Sequence, residues 1–142
     1  MNIELSDKEF RLLLDMVYIG NWILNSARGD DRIDEYDRLE SKIFAQCARD
    51  KKLHSLFSIY GDDVLPSRAF ENGGIHEAIV AYEDSVFFEI LAEELARKDM
   101  DFAPVTAENY PELAVRIEEY IAEFEENGVE NVTVENNMGR QE

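Results

Sequence analysis

One cysteine, three prolines and two histidines are all that this chain of 142 residues carries of those types. A lone cysteine, Cys47, excludes an intrachain disulfide and any zinc site built from several thiolates. It also suits a reducing compartment, so a cytoplasmic location is the expectation. His54 and His76 stand outside any His-Glu-x-x-His spacing, and no Glu-x-x-His pair exists. The zinc-protease helix and the ferritin-like di-iron pattern are thereby excluded. No Gly-x-Gly-x-x-Gly stretch, phosphate-binding loop or Gly-x-Ser-x-Gly elbow occurs. No apolar run approaches the ~20 residues that span a bilayer. The start, Asn2-Ile3-Glu4-Leu5, lacks the basic opening and apolar stretch of a signal peptide.

Positive charge is scarce as well. Against 32 acidic side chains stand 14 basic ones, a net charge of -18. The excess lies mostly in the second part: residues 1–60 hold 11 acids and 9 bases, whereas residues 61–142 hold 21 and 5. Direct contact with nucleic acid or an anionic membrane is disfavoured, because phosphate contacts need Lys and Arg. An acidic surface draws basic partners or divalent cations instead.

What is present is helical periodicity. Ser6-Asp7-Lys8-Glu9 has the spacing of a capping box, in which the hydroxyl and the carboxylate each take the other residue's amide proton. The helix it opens is predicted over 7–27, apolar around most of its circumference, and so central to the core. Asn21 and Asn25 sit one turn apart on it, a spacing suited to structural hydrogen bonds if buried. Trp22 falls on its narrow polar arc with Arg11, Asp15 and Ser26, and is read as a candidate interface anchor.

Further helices are predicted over 33–49, 51–60, 75–98 and 111–127, with Gly128 suited to the last C-cap. The stretch 61–74 is predicted irregular apart from one helical turn near Ser67 to Glu71. Residues 2–5 and 129–135 alternate in polarity and are predicted to pair as a two-stranded β ribbon joining the termini. The fold class is therefore mainly α: one domain over 1–135, a bundle of four or five helices around the N-terminal one, with a polar, flexible tail over 136–142.

The chemistry that can be placed on these elements is sparse. His76 follows Asn72-Gly73-Gly74 and opens the 75–98 helix, where the dipole favours a neutral ring able to accept a proton or bind a metal. Glu83, two turns on, is its potential catalytic companion. Glu89 and Glu93 continue the same helix and are the candidate ligands for Mg²⁺ or another divalent metal. Their spacing departs from the Glu-x-x-Glu and Glu-x-x-Asp pairs of all-α nucleoside triphosphate pyrophosphatases, which argues against that activity. A surface Glu93–Arg97 pair is the plainer account of that segment.

The leading expectation is a non-enzymatic interaction module without a cofactor, recognising a basic protein. The recognition residues would be Glu112, Glu119, Glu123 and Glu126 on the last helix, Asp62 and Asp63 in the loop, and Trp22. A sharper form is a decoy that mimics nucleic acid. The alternative is an enzyme using a carboxylate-bound divalent metal on the 75–98 helix. Self-association through the Trp22 face or the ribbon edge is a further expectation.

Overall fold

The computed structural model describes residues 2–135 and is mainly α. The elements run α1 (Asp7–Asn25), α2 (Asp34–Phe44), two 3-10 segments (Ala45–Arg49 and Lys51–Leu56), β1 (Phe57–Tyr60), β2 (Asp63–Pro66), the short turn α3 (Arg68–Phe70), α4 (His76–Asp99) and α5 (Tyr110–Asn127). Contacts cluster into two compact units, one ending at Val80 and the other beginning at Ala81. The predicted tail over 136–142 lies outside the described residues.

In the first unit, α1 starts at the capping box read from the sequence: Ser6 Oγ accepts from the Glu9 amide, and the Ser6 amide donates to Glu9 at 2.8 Å. Only one side of α1 is buried, through Leu14, Tyr18, Asn21 and Asn25. Leu12, Met16 and Ile23, part of the apolar circumference that predicts a central position, are exposed. The hydrophobic core is Leu14, Tyr18, Phe44, Cys47, Phe70, Ile75 and Ile79, with Cys47 and both phenylalanines fully shielded from solvent. The Phe44 and Phe70 rings meet edge to face at 5.0 Å, and the Arg11 guanidinium lies over Phe70 at 4.8 Å.

Two expectations are corrected here. The helix predicted over 51–60 ends at Leu56, and Phe57–Tyr60 is a strand paired antiparallel with Asp63–Pro66. Gly61-Asp62 is the two-residue turn between them, and Gly61 at φ +61° supplies the left-handed conformation a tight hairpin requires. The two-stranded ribbon is therefore this internal hairpin. Residues 2–5 and 132–135 form no strand. Val64 N–H donates to Ser41 Oγ at 2.9 Å, tying β2 to α2.

The helical turn near Ser67 forms, capped by the Ser67 hydroxyl on the Phe70 amide. Gly74, at φ +110°, then breaks the wide turn over Glu71–Ile75 just before α4.

The second unit holds the rest of α4, whose first turn belongs to the first unit, and all of α5. Ala92, Ala96, Leu113 and Phe124 are its buried apolar residues. The Phe88 and Phe124 rings lie 5.5 Å apart, and Tyr120 donates to Asp99 at 2.7 Å. Gly128 closes α5 at φ +57°, its N–H reaching the Phe124 carbonyl at 2.9 Å.

Candidate functional site

The polar chemistry of the first unit is gathered where α1, α2 and the Glu71 turn meet. Asn21 and Asn25, one helical turn apart, both reach across to α2. Asn21 donates to Asp37 at 3.0 Å, and Asn25 donates to Asn21 Oδ1 at 2.9 Å. Asp37 also receives the fork of Arg32, at 2.6 and 2.9 Å. Those Arg32 bonds, with the two asparagine amides, hold the Asp37 carboxyl below the usual carboxylate range.

Glu40 follows one turn after Asp37 and is only 8% exposed. Burial pushes its pKa up to about 7. The Asn21 amide and the Arg32 charge oppose that shift, and the Asp37 and Glu71 charges add to it.

On the other side of the same pocket, Tyr18 Oη lies 2.8 Å from His76 Nε2 and 3.3 Å from Glu71 Oε1. The hydroxyl has one proton. If Tyr18 donates it to Glu71, its oxygen must accept from the ring N–H of His76. Burial and the neighbouring Glu71 charge raise the Tyr18 pKa far above its ordinary value, so the phenol stays protonated. Trp22 packs edge to face on His76 at 5.0 Å and stacks on Tyr18.

A cavity of about 280 Å³ is lined by Tyr18, Asn21, Trp22, Arg32, Glu40 and Glu71, among others. A second cavity, of about 470 Å³ and bordered by Arg38, Ser41 and Asp63, adjoins Arg32 and Glu40 as well.

The sequence-predicted residues are distributed differently. His76 does open α4, but its Nε2 is engaged by Tyr18. Glu83, Glu89 and Glu93 are exposed on α4. Glu89 lines a cavity of about 330 Å³ with Asp84 and Glu125. Among the described residues, no three His, Cys, Asp or Glu side chains converge in a geometry that could hold a metal ion. Arg97 pairs with Glu94 at 3.7 Å, not with Glu93 as expected. Trp22, read as an interface anchor, is half-buried against His76. Asp62 and Asp63 are exposed at the hairpin turn, Asp63 being the first residue of β2.

The α5 stripe is not uniform. Glu112 takes two bonds from Arg116, at 2.8 and 3.1 Å. Glu123 accepts from Asn127 at 3.1 Å and from Asn131 at 2.6 Å. Glu119 and Glu126 are exposed.

Sequence reasoning missed Glu40, Glu71 and Tyr18. The signal for Glu40 was present: positions 40, 44 and 47 recur at helical spacing, and Phe44 and Cys47 are both core. No family model, curated protein or solved structure matches the chain.

Proposed function

We propose that the chain is a protein-interaction module whose second unit receives a basic, amphipathic segment of a partner protein. The observation that carries this reading is a largely exposed apolar stripe on α4. Tyr82, Val86 and Ile90 recur there at four-residue spacing along one stripe, with Tyr82 and Ile90 exposed and Val86 half-buried. Tyr82, Ile90 and the adjoining Phe87 are each more than half exposed. Glu83, Glu93 and Glu94 flank them, and α5 adds Glu118, Glu119, Glu125 and Glu126 to the unit's exposed carboxylates.

Residues 81–142 carry 17 acids against 4 bases, so the unit's own cations cannot compensate them. An apolar stripe bordered by uncompensated carboxylates suits a helix with Lys and Arg beside Leu or Phe. The carboxylates would speed encounter and set orientation, and the apolar side chains would supply the buried contact.

The test measures the affinity of the intact chain for a helical Lys–Leu amphipathic peptide. A Lys–Ser peptide of the same charge serves as control. Affinity for the first is expected to fall by about tenfold or more between low and physiological salt. It is expected to fall similarly in the variant Glu118→Lys, Glu119→Lys, Glu125→Lys, Glu126→Lys. Equal affinity of the wild type and this variant would refute the reading, as would equal binding of the Lys–Ser peptide. For a partner captured by this surface, displacement by duplex DNA would add the decoy role. Retention in excess DNA would remove it.

A further inference from the structure

Glu40 is the only charged side chain that is buried among the described residues, and it lines both cavities of the first unit. No cation pairs with it there. Arg32, which borders the same space, directs its fork to Asp37, and the Asn21 amide also donates to Asp37. The Asn21 amide and the nearby Arg32 charge offset only part of the cost of burying this carboxyl, and no cation among the described residues forms an ion pair with it. Glu71 stands on the same wall, with only a long bond from Tyr18 at 3.3 Å. The Tyr18 and Trp22 rings complete the lining.

We infer that this cavity binds a short protonated primary amine, its ammonium between Glu40 and Glu71 and its alkyl stem against the rings of Tyr18 and Trp22. The chemistry selects this class in three ways. An ammonium has three N–H donors and no acceptor, which suits a cavity lined by two carboxylates. Aromatic faces attract a cation that has left bulk water. The volume, about 280 Å³, admits a stem of only a few carbons. Anions meet two carboxylates and are repelled. A bare Mg²⁺ or Ca²⁺ wants six or more oxygen ligands, and aromatic walls supply none. The site lies in the first unit and does not depend on the acidic surface proposed above.

Trp22 is the chain's single tryptophan, so its fluorescence and its indole N–H resonance report on this wall alone. The experiment titrates the intact chain with n-pentylammonium and, separately, with n-pentanol and with Mg²⁺. The amine is expected to shift both Trp22 signals saturably, while the alcohol and the metal leave them in place. Glu40→Gln and Glu71→Gln are each expected to weaken amine binding by about tenfold or more. Glu119→Lys, on α5, is expected to leave it unchanged. Circular dichroism checks that the variants remain folded, and the two separate carboxylate replacements guard against a fault in either one. The inference is overturned by the absence of a saturable shift, by equal response to pentanol, by Mg²⁺ producing the same shift, or by unaltered affinity in both glutamine variants.

Discussion

Replacing Asn25 by alanine is expected to lower the stability of the first unit by about 3 kcal/mol, a large share of what a small domain possesses. Asn25 is 1% exposed, and its side chain forms a two-way clamp on the peptide of Ile33. Its Oδ1 accepts from the Ile33 N–H at 2.9 Å, and its Nδ2 donates to the Ile33 carbonyl at 3.1 Å. Ile33 is the residue from which α2 starts, yet it has no capping side chain of its own. Asn25 therefore sets the position of α2 from the far side of the Ser26–Arg32 loop.

The Ile33 carbonyl keeps a bond from the Tyr36 amide in the variant, but the Ile33 N–H is left without that partner. Asn21 Oδ1 loses its donor too. Each unpaired buried group costs about 1–3 kcal/mol, and the loop regains its freedom. Urea denaturation checks this result: the midpoint should fall with little change in slope. A loss below about 1 kcal/mol would mean that water replaces the clamp without penalty.

Glu40→Gln is expected to stabilise the protein, and only above mildly acidic pH. The carboxyl ionises at about 7 in the folded chain against 4.5 for an ordinary glutamate. Between those values the native state holds a proton that the unfolded chain has released, so stability falls as pH rises. The contribution is fully present below the unfolded value and is gone once pH has passed the folded one. At 1.36 kcal/mol per unit the shift sets an upper bound of about 3 kcal/mol, and solvent reaching the carboxyl through its two cavities screens it to about 1–2 kcal/mol.

Glutamine keeps the shape and never ionises. The variant should therefore match the wild type near pH 4 and exceed it by about 1–2 kcal/mol at pH 8, raising the melting temperature there by about 5 °C. The charged and titratable groups that line the two cavities beside Glu40 are Tyr18 on α1, Arg32 in the loop, Asp34, Asp37 and Arg38 on α2, Asp63 on β2 and Glu71 in the turn before α4. All of them remain in the variant, so the comparison isolates Glu40. A stability difference that did not vary with pH would show that the carboxyl is not held away from water.

Much of the helical framework was legible in the sequence because its signals are local. A capping box, a proline in the first turn and a glycine after the last turn place α1 and α5 to within two residues. The hairpin was hidden by coincidence of spacing. Leu53, Leu56, Phe57 and Tyr60 satisfy helical periodicity, while Phe57-Ser58-Ile59-Tyr60 also alternates, and Gly61-Asp62 is a two-residue turn signal that decides for strands. Tertiary pairing with β2 resolves what a single segment leaves open.

The apolar residues of α1 cover most of its circumference, which predicts a central helix buried on all but a narrow polar arc. Leu12, Met16 and Ile23 are nonetheless exposed, because apolar composition states what a face can bury and not what covers it. The pocket was the least legible part. Tyr18, Glu40 and Glu71 come from three separate elements, and convergence over such distances leaves no spacing to read. The acidic surface was visible because bulk charge is additive. Which carboxylates stay uncompensated depended on where Arg116, Asn127 and Asn131 point.

Cys47, sealed among Leu14, Phe44 and Phe70, gives the first unit a clock of its own. Burial raises its thiol pKa, which lowers its reactivity further. An alkylating reagent added to native protein can react only with molecules whose core has opened. When reclosing outpaces reaction, the labelling rate is the intrinsic thiol rate multiplied by the opening equilibrium constant. The one thiol in the sequence thus reports how often the core breathes, with no engineered probe and no denaturant.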